Sequence, residues 1–151
     1  MKNLVLFGFL LFFSTSSVFG QHLKEQEWTT LSNYKKSNDN TGFEAFLKKR
    51  GFSKSDQTND KYVFYNWNKT DSFYYGVRVN AKSGQVTYMT NDQNYVLKLL
   101  SRFVSEYSHI KSEKQGTLAM THIFQSQTST IAVKLDLSTD SETHLLFASN
   151  N

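Results

Sequence analysis

The sequence contains no cysteine. That absence excludes disulfide staples, thiolate catalysis and the lipid-bearing cysteine of a bacterial lipoprotein. Long apolar runs are equally scarce. Beyond the first residues none approaches the roughly 20 needed for a helix to cross a bilayer. The seven glycines are scattered and form no phosphate-binding loop. No serine or threonine sits in a nucleophile elbow. No isolated pair of carboxylates stands out for general acid–base work. The formal net charge is only +4. The densest basic cluster, "FLKKRGF", belongs on the solvated side of a short helix, so nucleic acid is not an expected partner.

Four histidines remain as candidates for chemistry: His22, His109, His122 and His144. His22 lies close to the N-terminus of the expected mature chain, where mobility is expected. His109 falls at the end of an expected helix, where exposed carbonyls favour a cation. His122 and His144 fall in strands and approach one another if those strands pair. No acid is spaced to complete a metal site with them. No metal ligand set and no cofactor is therefore expected.

What is present begins with "MKNLVLFGFLLFFSTSSVFGQ". Lys2, an apolar run from Leu4 to Phe13, a polar turn at Ser14 to Ser17, and Gly20 have the layout of a secretory signal peptide. The expected organisation is a leader over 1–20 and a single domain over 21–151, with halves at 41–90 and 91–151. Localisation is expected to be secreted or periplasmic, with no integral membrane segment once the leader is removed. A domain of this size can bury one core.

Along the mature part, His22 to Lys36 is expected to form a first helix carrying Trp28 and Leu31 on one side. A second follows in "TGFEAFLKKRGF", where Thr41 and Glu44 have capping-box spacing and Phe43, Phe46 and Leu47 share a face. Gly51 ends it, and "SKSDQTND" reads as a loop. Three strand-like runs follow: Lys61–Trp67, Ser72–Asn80 and Gln85–Thr90, joined by "NKTD" and "AKSG". The strongest helical spacing is Val96, Leu99, Leu100, Phe103, Tyr107 and Ile110, with Thr90 and Gln93 as its capping pair. "KSEKQG" ends that helix. Three more strands follow over Thr117–Gln125, Thr130–Leu137 and Thr143–Ser149. The fold class is α+β: an antiparallel sheet with helices on one face, in the order helix-βββ-helix-βββ, suggestive of a degenerate tandem repeat.

The stretch Tyr62–Tyr75, "YVFYNWNKTDSFYY", packs seven aromatic side chains into fourteen residues. Alternation on the second strand assigns Phe73, Tyr75, Val77 and Val79 to the core, and Tyr74 and Arg78 to the open face of the sheet. The first strand is apolar on both faces, so one of its sets reaches the open face as well. Tyr65, Trp67, Tyr74 and Arg78 are the candidate binding residues on that basis, because rings give rigid contact area and Arg gives directed hydrogen bonds. The competing reading is that these rings are good strand residues stabilising cross-strand pairs.

The hairpin over 73–90, "YYGVRVNAKSGQVTYMTND" from Tyr74, resembles the closing hairpin of PepSY-type modules through Tyr75, Val77, Val79, Asn80, Ala81, Gly84 and Val86. Asn80 stands where an acid is more usual. The helix-plus-sheet order is also similar to inhibitor proteins of the β-lactamase-inhibitor type. The resemblance implies a small exported domain that binds or restrains a secreted enzyme, and it carries over no functional residue. The expected function is a non-catalytic binding module that holds a protein, peptide or glycan on an aromatic sheet face. The alternative is a small cone-shaped hydrolase or isomerase with a pocket between sheet and helix, in which His122, between Met120 and Phe124, supplies the polar group.

Overall fold

The computed structural model describes residues 22–68, 73–137 and 144–150. The expected leader, part of the "NKTD" turn and the "STDSE" turn lie outside the described residues. The fold is α+β. Helices α1 (Glu25–Lys36), α2 (Asn40–Lys49) and α3 (Gln93–Glu106) accompany eight strands, β1 (Phe52–Lys54), β2 (Tyr62–Trp67), β3 (Tyr75–Asn80), β4 (Val86–Thr90), β5 (Ser108–Gln115), β6 (Ala119–Gln125), β7 (Ser129–Asp136) and β8 (His144–Asn150). All eight strands form one antiparallel sheet in the order β1-β2-β3-β4-β8-β7-β6-β5. The order is palindromic in form. Each half of the chain contributes four strands, its first at an edge and its last at the centre.

Each half therefore carries one strand more than its sequence pattern suggests. In the first half the extra strand is β1, only three residues long. Phe52 is buried, and its backbone faces Trp67 across the pair. In the second half it is β5, which is exposed along its whole length. With no buried face, β5 has no period-two apolar signal to betray it. It also displaces the expected end of α3. Tyr107 is extended at φ −124° and ψ 153°, and Ile110 is an exposed strand residue.

Helix starts also differ from the spacing-based reading. The N-cap of α2 is Asp39, whose carboxylate accepts the Gly42 N–H at 2.8 Å. That of α3 is Asp92, which accepts the Tyr95 N–H at 3.0 Å. In each case an acid just upstream holds the first turn, where an anion also meets the positive end of the helix dipole.

The buried faces of the three helices (Trp28 and Leu31; Phe43 and Leu47; Val96, Leu99 and Phe103) join one cluster. From the sheet that cluster takes Tyr65, Tyr75, Val77, Tyr88, Phe124, Ile131, Val133 and Leu146, among others. Strand register places all of these sheet residues on one face. The helices therefore roof one side. Phe73, expected in this set, precedes β3 and is exposed, as are Leu118 and Met120.

His22 and Leu23, just before α1, pack against the core. Leu23 is fully buried, and its carbonyl accepts a hydrogen bond from the Tyr95 hydroxyl at 3.1 Å. His22 stacks on Tyr95 at 3.6 Å, meets Tyr75 edge-on at 4.7 Å, and lies 3.4 Å from Asp92. Ion pairs then tie α1 to its neighbours: Glu25 to Arg102 of α3 at 2.7 Å, and Glu27 to Arg50 at 2.9 Å.

Candidate functional site

The structure separates the four residues nominated from the aromatic stretch. Register pairs Tyr65 with Val77 and Val63 with Val79, so Val63, Tyr65 and Trp67 point toward the helices. Tyr65 is buried against Phe43, and its hydroxyl donates to Glu44 at 3.2 Å. Burial, then the Glu44 charge, pushes its pKa up to about 12. Trp67 is half-buried, meets Tyr75 edge-on at 5.5 Å and packs on the core. These two rings therefore belong to the roofed face and not to the open one. They alternate with Tyr62, Phe64 and Asn66, and it is this set that shares the open face with Tyr74 and Arg78.

On that face the groups largely satisfy one another. The Arg78 guanidinium lies over the Tyr62 ring at 4.4 Å, a cation–π contact. Tyr74 folds back over Gly76, where a side chain on the glycine would collide with its ring. The Tyr74 hydroxyl bonds Asn66 at 3.1 Å, and its backbone N–H donates to Asn91 at 2.6 Å. Burial raises the Tyr74 pKa, and Arg78 partly offsets the rise. An aromatic ring covering a strand glycine in this way stabilises the sheet.

A cavity of about 630 Å³ lies where the end of α1 meets the sheet. Its sheet wall includes Thr121, Thr130, Ala132 and Lys134, which register places opposite to Ile131 and Val133. The other wall comes from the last turns of α1, with Lys35 and Lys36, and from the β3–β4 hairpin through Gly84 and Val86. Gly84 holds φ +68° beside the Lys35 stem, a backbone state that favours glycine. The lining residues are mostly polar by type, yet the surface they present is mainly carbon. Lysine stems do this: their methylenes line a wall while the ammonium groups reach for water or a partner. Lys134 pairs with Asp136 at 2.9 Å, and Lys35 donates to Asn40 at 2.6 Å. Among the described lining residues there is no carboxylate. Sequence reading missed this site because its walls come from a helix end, a hairpin tip and strands far apart in the chain.

The histidines are also rearranged. His144 is fully buried on β8, separated from β6 by β7, so it does not join His122. His122 instead meets His109, with ring centroids 6.2 Å apart. Burial, then the neighbouring His109, lowers the His122 pKa. Neither lines the cavity: it is Thr121, on the opposite side of β6 from His122, that contributes to its wall.

Comparison with protein-family models, with curated proteins and with solved structures yields no match.

Proposed function

We propose that the protein is an exported, non-catalytic binding module whose site is the cavity between the end of α1, the β3–β4 hairpin and β6–β7, and that its ligand is a small organic acid with an apolar body. The observation that carries this reading is the cavity's make-up: a carbon-rich wall of lysine stems, Val86 and Ala132, with Lys35 and Lys36 at its margin and no described carboxylate opposing them. Its volume falls within the usual 300–1,000 Å³ of small-molecule sites. An apolar body would occupy the carbon-lined part, and an acid group would meet the ammonium groups and the Thr121 and Thr130 hydroxyls. No described group lining the cavity is arranged as a nucleophile with its base, so the wall supports retention and not turnover.

The aromatic patch of Tyr62, Phe64 and Tyr74 supports the reading less directly, because the Tyr74 hydroxyl is already engaged with Asn66 and the Tyr62 ring with Arg78. A protein partner, as the PepSY-type resemblance implies, would engage that patch and β2–β3 instead of the cavity.

The test uses anilinonaphthalene sulfonate, an amphipathic anion that fluoresces when desolvated, displaced by octanoate. Saturable binding at one site is expected, with near-UV circular dichroism unchanged. Ala132→Trp fills the space and should abolish it, and Lys36→Glu should weaken it several-fold. Binding that Ala132→Trp leaves intact would reject the cavity.

A further inference from the structure

The second half of the sheet carries a pair of imidazoles whose ring nitrogens converge on one point. His109 Nε2 lies 2.9 Å from Ser112 Oγ, and His122 Nδ1 lies 2.8 Å from the same oxygen. The sequence alone gives no hint of this. In an unbroken strand, residues three apart point to opposite faces, so His109 and Ser112 would diverge. The β5–β6 register contains a bulge: His109 pairs with Phe124 and Lys111 with Ile123, leaving Ile110 extra. The extra residue returns Ser112 to the face that His109 occupies. Ser112 pairs directly with His122 on β6, which brings all three side chains together. The rings stand beside Phe124, with centroids 5.4 Å away for His109 and 6.4 Å for His122, and Phe124 is itself buried. His109 and Ser112 are exposed, so an ion can enter from solvent. Bulges are frequent where a side chain has to be re-aimed for function.

Ser112 has one hydroxyl hydrogen. It can donate to only one of the two nitrogens, so the other imidazole donates to Ser112. That arrangement fills the convergence point with a hydroxyl in the apo state. We infer that rotation of Ser112 out of this point converts the pair into a binding site for a divalent transition ion of the zinc or copper class, held by His109 Nε2 and His122 Nδ1. Imidazole nitrogen suits these ions. Bonds of about 2.0–2.1 Å to each nitrogen require the rings to close by roughly 1 Å, within reach of side-chain rotation at an exposed edge. No acid, cysteine or further histidine joins the pair in a three-ligand group among the described residues. Water, or a donor from another molecule, therefore completes the coordination shell, which makes the ion exchangeable and not structural. The site shares no lining residue with the cavity and does not depend on the reading given above.

The test is calorimetric titration of the untagged full chain with ZnCl₂, followed by NMR of the imidazole resonances. Saturable binding near one equivalent is expected, with His109 and His122 resonances shifting and that of buried His144 unmoved. His109→Gln and His122→Gln should each weaken binding by more than about tenfold. Ser112→Ala, which removes only the competing hydroxyl, should preserve it or tighten it. Unaltered circular dichroism in each variant separates lost ligation from lost folding. Absence of saturable binding would overturn the proposal. So would binding that both glutamine variants leave unchanged, which would place the ion elsewhere, as at His22 and Asp92.

Discussion

At the scale of single residues, the aromatic stretch resolves into two populations with different work. Val63, Tyr65 and Trp67 face the helices, and Tyr62, Phe64 and Tyr74 face away. The alternation was legible in the sequence; which of the two sets on β2 turned inward was not. Both sets are apolar, so period two alone could not choose. The choice follows from contacts outside the strand, Tyr65 against Phe43 and Trp67 against Tyr75. The consequence is measurable by chemical denaturation. Trp67→Ala should cost about 2–3 kcal/mol, because a half-buried ring packed on the core is lost. Tyr74→Phe should cost about 1 kcal/mol or less, because only its hydroxyl bond to Asn66 goes. Equal losses would contradict the assignment of faces.

At the scale of elements, the strongly periodic segments announced themselves, and the weakly patterned ones did not. The apolar stripe of Val96, Leu99 and Phe103 marks α3, and the alternation of Ile131 and Val133 marks β7. Strand β1 is too short to show a period, and β5 has no buried face to create one. The helix caps show the same limit. Threonine–glutamate and threonine–glutamine spacings resembled capping boxes at 41–44 and 90–93, yet the caps are the acids at 39 and 92. Asp92 serves two elements at once: it caps α3 and lies 3.4 Å from the His22 ring. Asp92→Ala should therefore lower stability by more than the roughly 1 kcal/mol of an ordinary cap. Asp39→Ala, whose carboxylate makes only the local bond described here, should cost about that amount. The difference can be read by comparing the two variants in one urea series. Asp92→Ala should also speed amide exchange at Leu23, and an unchanged rate there would separate Asp92 from the packing of His22 and Leu23.

At the scale of the whole molecule, the roof of helices on one face leaves a sheet that does two things. It buries tyrosines beneath the helices, and with the end of α1 and the β3–β4 hairpin it encloses a carbon-rich hollow. The buried tyrosines make stability sensitive to alkali. Burial, together with the Glu44 charge, raises the Tyr65 pKa to about 12, and burial raises those of Tyr88 and Tyr95 as well. An unfolded tyrosine loses its proton near pH 10. Above that pH the unfolded state binds fewer protons than the folded one, so stability falls with rising pH. The contribution of Tyr65 is complete below about pH 10 and is lost between there and about pH 12. Tyrosinate absorbance and ellipticity should then change together, and Tyr65→Phe should move the midpoint to higher pH. The proposed export has its own constraint. Leu23 is fully buried, so a leader cut beyond it would remove part of the core. Mass spectrometry of exported material should find a mature chain beginning at Gln21.

The account rests most heavily on the hollow bounded by α1, the β3–β4 hairpin and β6–β7. Amide-shift mapping during titration with octanoate tests it most directly. Saturable shifts concentrated at Lys35, Gly84, Val86, Ala132 and Lys134 are the predicted result. Shifts confined to β2 and β3 around Tyr62, Phe64 and Tyr74, or no saturable shifts at all, would contradict it.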